Sequence, residues 1–323
     1  MNRIPTLLAS FSLVALGLAQ SATAQTYPNK PIKIMVGASP GGGTDIVARV
    51  LAEKLSASLK QAVVVENKAG ASNTIAAEIT AKAVPDGHTL LVATTTGQAI
   101  APHLLKLNYD AQKDITPIGL VMAVPNVLVV GPAVKAKDVA ELIADITAKP
   151  GTFQYASSGI GSTQHIAGEA FAARTGLKLL HVPYRGSSQA HIDLIGGAVQ
   201  MMFDTTSSAM PQVNGGKLRP LAVTSAQRAS VLPNTPTLIE AGVKDIDMTT
   251  WYGLFVTGGT PDATTKLLID ELKRILALHD VQKRIADLGG MQIPLYGDDF
   301  KAFNAREFAS YRTLIKDANI TAQ

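Results

Sequence analysis

The chain has 323 residues, 29 Lys+Arg against 25 Asp+Glu for a formal net charge of +4, and no cysteine. The missing cysteine excludes a disulfide framework, a Cys-ligated zinc or iron–sulfur site and a cysteine nucleophile. So small a positive excess, with no Lys/Arg cluster behind it, excludes a nucleic-acid footprint. At 46% apolar, 17% charged and 5% aromatic, the chain is globular, one large or two medium domains, rather than disordered or an aromatic stacking platform.

The N-terminus sets the compartment. Arg3 supplies a short positive region, Leu7 to Ala19 is an apolar run, and Ala22-Thr23-Ala24 gives an A-x-A cleavage pattern. Residues 1–24 therefore read as a signal peptide, with the mature protein beginning at Gln25 and exported. The alternative, an uncleaved anchor, is opposed by the run falling short of the ~18–20 residues a bilayer needs.

Beyond Gln25, strands alternate with helices. Ile32–Val36 reads as a buried strand, and Val47, Val50, Leu51, Leu55 and Leu59 repeat at helical spacing behind it. Val63–Val65 is the next strand, Ile75–Ala83 the next helix and Thr89–Ala93 a third strand. A second set follows: strand Phe153–Ala156, helix Thr163–Arg174, strand Leu179–Val182, helix Ser188–Ile195, strand Gln200–Phe203 and strand Leu218–Thr224. Helices over Asp262–Leu278, Val281–Leu288 and Asp298–Lys316 close the chain. Such alternation implies parallel α/β sheet with helices on its faces.

Two apolar strands bracket the second set, Asn126–Pro132 and Trp251–Val256, each followed by a Gly/Pro turn and a helix. If the chain crosses on these strands, one lobe is 25–126 with 251–323 and the other 127–250, hinged at the crossings. One continuous doubly wound sheet is the alternative.

Four strand ends carry the polar chemistry. Ser39-Pro40-Gly41-Gly42-Gly43-Thr44-Asp45 is a glycine-rich strand-to-helix turn that lacks the Lys of a Walker loop, and Ile46 stands where a dinucleotide fingerprint needs its third glycine. Its uncovered N–H groups beside a helix N-terminus suit a small anion such as a carboxylate. Asp45 serving only to satisfy that helix end is the plainer reading. Tyr155–Thr163 offers four Ser/Thr hydroxyls and two glycines, with Ser162 as a plain N-cap the alternative; Thr94-Thr95-Thr96-Gly97 and Asp204–Ser208 repeat the hydroxyl cluster. All four lie at carboxyl ends of strands, where open α/β sheets bind ligands, two to each lobe. The six histidines show no zinc spacing, and no Gly-x-Ser-x-Gly elbow occurs.

The chain resembles, over nearly its whole mature length, the Bug-type solute receptors of the tripartite tricarboxylate transporter family. The matching stretches include Tyr27–Ile32, Ser39–Asp45, Val65–Ala71, Pro85–Leu91, Val182–Gly186, Leu194–Gly197, Leu232–Thr237 and Trp251–Leu254. The resemblance implies an α/β type II periplasmic-binding-protein fold, two α/β lobes joined by two crossing strands, with the ligand cleft between them. It implies a periplasmic, monomeric receptor with no enzymatic activity, cofactor or metal. Such a receptor captures a di- or tricarboxylate, an acidic amino acid or an aromatic carboxylate for the membrane components of a transporter. A receptor reporting to a signalling partner, or an exported enzyme using the same cleft, are the alternatives. In the family one carboxylate is held largely by main-chain groups and waters of the first-lobe loops. By motif match the ligand-binding positions are Ser39, Gly42, Gly43, Thr44 and Asp45, then Thr95 and Thr96. Ser158, Ser162, Thr163 and His165 follow, with Asp204 and Thr205. Where many relatives carry His and Asn after the third strand, this chain has Gln98 and Ala101.

Overall fold

The computed structural model describes residues 27–244, 246–317 and 321, so the expected signal peptide at 1–24 and the start at Gln25 lie outside the described residues. The first half-sheet is built from β1 (Ile32–Val36), β2 (Val63–Asn67) and β3 (Thr89–Thr94), with β1 parallel to both others. Between them run α1 (Gly43–Leu59) and α2 (Thr74–Ala81). After β3 come a π-helical turn, Thr96–Ile100, and the short α3 (Ala101–Leu104).

The chain then enters β4 (Ile115–Val130), a strand of 16 residues. The sequence reading starts this strand only at Asn126. Pro117, Gly119 and Pro125 hide its first half, and the pairing is irregular there, shifting register between Pro117 and Gly119 and between Leu120 and Met122. From Ile115 to Pro125 its partner is β9 (Thr249–Thr257). From Asn126 to Val130 it pairs instead with β7 (Met201–Thr205), and over Val127–Val130 also with β8 (Arg219–Val223).

The second half-sheet adds β5 (Gln154–Ser157), parallel to β7 and to β6 (Leu180–Pro183). Its helices are α4 (Val139–Ala148), α5 (Thr163–Thr175), α6 (Ser187–Gly196) and α7 (Thr206–Asn214). β8 was expected within the parallel set, but it lies antiparallel on β4. The return crossing falls at the entry of β9. Met248 N–H donates to Thr224 O of the second half, whereas Thr249 already pairs with Pro125 of the first. Beyond β9 come α8 (Asp262–Leu276), α9 (His279–Asp287) and α10 (Asp298–Asp317).

Each half-sheet is sandwiched. Leu51 and Leu55 of α1 and Leu268, Leu272 and Ile275 of α8 pack on one face of the first; Ala76, Ala77, Trp251, Phe255 and Phe300 fill the other. In the second, Leu142, Phe171 and Phe203 pack one side, and Ala190, Leu194, Ala209 and Met210 the other. Separate cores on either side of β4 make two lobes, not one doubly wound sheet. Among the described residues no helix is long and apolar enough to cross a membrane.

Candidate functional site

The carboxyl ends of β1, β3, β5 and β7 meet at one cavity between the lobes. It holds about 350 Å³ of atom-free space, of which the centre of a water molecule reaches only about 30 Å³. Since one water needs roughly 10–15 Å³ of such space, the cavity as it stands fits a carboxylate-sized group and not a large ligand.

Four helix N-termini converge there. α1 presents Gly42, Gly43 and Thr44; α5 presents Gln164; α6 presents Gly186 and Ser187; α7 presents Thr205. No charged side chain lines the cavity among the described residues. A positive potential there comes from the aligned peptide dipoles of the helix ends, since the N–H groups of Gly41, Gly42, Thr163 and Thr205 are already bonded to Asp45, Ser39 O, Thr96 and Asp204.

The glycine turn is built for close approach. Gly41 has φ +79°, a left-handed conformation that glycine adopts without penalty. A Cβ on Gly43 would stand 2.5 Å from Ser207 Oγ and 2.7 Å from Tyr252 Oη. Asp45 does not line the cavity. Its carboxylate accepts from Gly41 N–H at 2.9 Å, from Arg49 Nε at 2.9 Å and from Asn67 Nδ2 at 3.0 Å. Burial works to raise its pKa, but these donors outweigh it and hold the carboxyl below its ordinary value. Asp45 thus fixes the shape of the turn.

Of the positions carried over by motif, the cavity brings together Gly42, Gly43, Thr44, Thr96, Ser158 and Thr205. The others stand behind or beside it. Ser39 Oγ donates to Arg185 O at 2.5 Å, tying the first lobe to the second. Thr95 Oγ1 accepts from Trp251 N–H at 2.9 Å and anchors β3 to β9. Ser162 is the N-cap of α5, accepting from His165 N–H at 3.1 Å. Thr163 Oγ1 lies 2.5 Å from Thr250 Oγ1. Asp204 is fully buried, accepting from Ser187 Oγ at 2.6 Å and from Thr205 N–H at 2.9 Å, with His191 Nε2 at 2.7 Å.

His165 faces away. It lines a separate outer cavity with about 2120 Å³ of atom-free space and stacks on His181 with ring centroids 4.1 Å apart. Burial lowers the pKa of His165; burial and the neighbouring imidazole lower that of His181 to about 3. Ser157 Oγ lies 2.6 Å from His181 Nε2, but Ser157 is fully buried and so weak a base is unsuited to activating a hydroxyl near neutrality.

Residue reasoning missed Asn73, Gln164, Ser187, Thr250 and Tyr252, all of which line the cavity. Asn73 closes a run of three left-handed non-glycine residues, Ala71, Ser72 and Asn73, at φ 43°, 52° and 73°. Beside it Ser72 Oγ donates to Ile160 O, a second tie between the lobes. Tyr252 donates or accepts across the lobes to Ser207 Oγ at 2.7 Å, and burial pushes its hydroxyl pKa up to about 12, so it stays protonated.

Comparison with known proteins finds a family model, the tripartite tricarboxylate transporter family receptor, matching residues 47–320. Protein BugT of Bordetella pertussis is 33% identical over 98% of this chain and 98% of its own. The solved periplasmic binding protein BugD superposes with a TM-score of 0.88 at 33% identity, covering 92% of this chain and all of its own. A Rhodopseudomonas palustris protein solved with adipate gives 0.88 at 31% identity, covering 91% and 99%. MatC of the same organism, with bound malate, gives 0.83 at 29% identity, covering 90% and 100%.

Proposed function

The chain belongs to the family of tripartite tricarboxylate transporter receptors, and from that premise we propose that it is an exported periplasmic receptor. It captures a small carboxylate between its lobes and delivers it to the membrane components of a transporter. The lobes divide as 25–126 with 251–323 against 127–250, in keeping with the partner switch of β4 at Asn126 and the return crossing before β9. Adipate and malate, held by two of the similar proteins, support the carboxylate class.

The observation that carries the reading is the meeting of four helix N-termini, from both lobes, on a cavity without a charged side chain. A partly buried helix end is worth up to ~2 kcal/mol to an anion. A micromolar complex needs about 8 kcal/mol, so all four ends must act together, and only the closed arrangement lets one ligand reach them all. The low basicity of His181 and the burial of Ser157 favour a receptor over a hydrolase.

The test is calorimetry and thermal unfolding of residues 25–323 against mono-, di- and tricarboxylates. Ligand at about 100 times its Kd adds ~2.7 kcal/mol of stability, which raises Tm by several degrees at roughly 2–4 °C per kcal/mol. No response to any carboxylate would refute the reading.

A further inference from the structure

Two hydroxyls on the second-lobe wall have already committed their protons. Ser187 Oγ donates to Asp204 Oδ1 at 2.6 Å, and Ser158 Oγ donates to Gln164 Oε1 at 2.8 Å. A hydroxyl carries one proton and two lone pairs, so each oxygen has only acceptor capacity left, and both line the cavity. The commitment of Ser187 is firm. Asp204 Oδ1 also accepts Thr205 N–H, His191 Nε2 sits 2.7 Å from Oδ2, and the carboxylate is fully buried. An ionic acceptor behind Ser187 polarises its oxygen and makes it a better acceptor toward the cavity.

An unsubstituted carboxylate uses the N–H groups of the helix ends and leaves these two oxygens without a donor. We infer that the ligand carries, besides its carboxylate, a hydrogen-bond donor, a hydroxyl or an ammonium, and that Ser187, backed by Asp204, selects for it. Ser158 adds a second acceptor. This inference rests on the carboxylate-receptor reading and narrows it to hydroxy or amino acids.

The experiment is titration calorimetry of the mature chain with succinate, methylsuccinate, malate and aspartate. Methylsuccinate matches the added bulk of malate without its donor. One additional hydrogen bond corresponds to roughly three- to tenfold in affinity, so malate or aspartate should bind by that factor more tightly than methylsuccinate. Whichever of the two gains more identifies the donor as hydroxyl or ammonium. Ser187→Ala should shrink the malate or aspartate preference toward unity while succinate still binds. If that variant does not fold, Ser158→Ala carries the same test with a smaller change in ratio. A purely structural role for Ser187 would lower all affinities together and leave the ratio unchanged, which would overturn the inference. Equal binding of donor-bearing and donor-free acids by the wild type would overturn it while leaving the carboxylate reading intact. Binding of none would refute both.

Discussion

Gly43→Ala separates ligand capture from folding. The new methyl carbon would lie 2.5 Å from Ser207 Oγ, 2.7 Å from Tyr252 Oη and 3.2 Å from Thr205 Oγ1. Ser207 and Thr205 belong to the second lobe, Gly43 and Tyr252 to the first, so the clash falls on the junction that closure forms. In an open form Ser207 withdraws and the Tyr252 hydroxyl loses the partner that holds it over Gly43. Overpacking a tight site costs ~1–3 kcal/mol, here charged to the closed state, which weakens Kd by about 5- to 150-fold. The ligand-free protein should melt unchanged or slightly higher, because alanine is the better helix former at the start of α1. Gly196→Ala is the control. It does not line the cavity and its Cβ would meet nothing within 4 Å, so binding should hardly change. Calorimetric Kd and ligand-free Tm of both variants decide the matter. Wild-type affinity in Gly43→Ala, or equal losses in both, would show that the cleft does not close over this glycine.

Three further outcomes follow from other parts of the molecule. His181 and His165 titrate below their ordinary value when folded, so between about pH 6.5 and pH 3 the unfolded chain binds protons that the native one refuses. Stability should therefore fall as pH drops through that window, alongside the loss from carboxylates such as Asp45 that are held below their ordinary value; His181→Asn should flatten the Tm–pH slope, and an unchanged slope would refute the assignment. Ala71→Gly removes a left-handed cost of ~1–2 kcal/mol against ~0.4–1 kcal/mol of added unfolded-chain freedom, so calorimetry should show a Tm between unchanged and a few degrees higher, and a fall would show that the turn is not strained there. Ser39→Ala deletes the hydroxyl tie to Arg185 O on the other lobe; small-angle scattering at saturating ligand should show a smaller contraction than in wild type, and an equal contraction would remove that contact from the closed state.

The glycine turn was legible because strand, glycines and helix are contiguous in sequence; that Gly41 and Gly42 spend their N–H groups on Asp45 and Ser39 O was not. The hydroxyl strand ends were legible for the same reason. What escaped reading depends on distant partners. Ser187 follows the motif glycine Gly186 and looks like an ordinary first-turn serine; its role comes from Asp204, 17 residues away. Tyr252 alternates like a core residue of β9, yet its hydroxyl reaches Ser207 across the lobes. Asn73 reaches the cavity through a run of left-handed residues that no propensity favours. Ser162 caps α5 as its plainer reading has it, whereas Asp45 does not cap α1 but braces the turn through Gly41 N–H. In β4, Pro117 and Pro125 concealed a strand; Pro117 sits beside a shift in register, and Pro125 stands at the end of the β9 pairing, opposite Thr249.

A cavity lined without arginine or lysine has a consequence for how capture works. A side-chain cation would attract a carboxylate in the open cleft as well as in the closed one, and equal affinity for two states shifts neither. Helix ends act only at short range, so the three contributed by the second lobe are felt once that lobe has swung in. At up to ~2 kcal/mol each they supply about 6 kcal/mol. Moving a two-state equilibrium from 1:99 to 99:1 requires about 5.5 kcal/mol of differential binding. The two quantities are closely matched, leaving little reserve. The ties from Ser39 Oγ to Arg185 O, from Ser72 Oγ to Ile160 O and between Tyr252 and Ser207 exist without any ligand. They lower the energy of the closed form in advance, so the helix ends need not supply the whole difference. Affinity in such a receptor is set as much by these lobe-to-lobe contacts as by the atoms that touch the carboxylate.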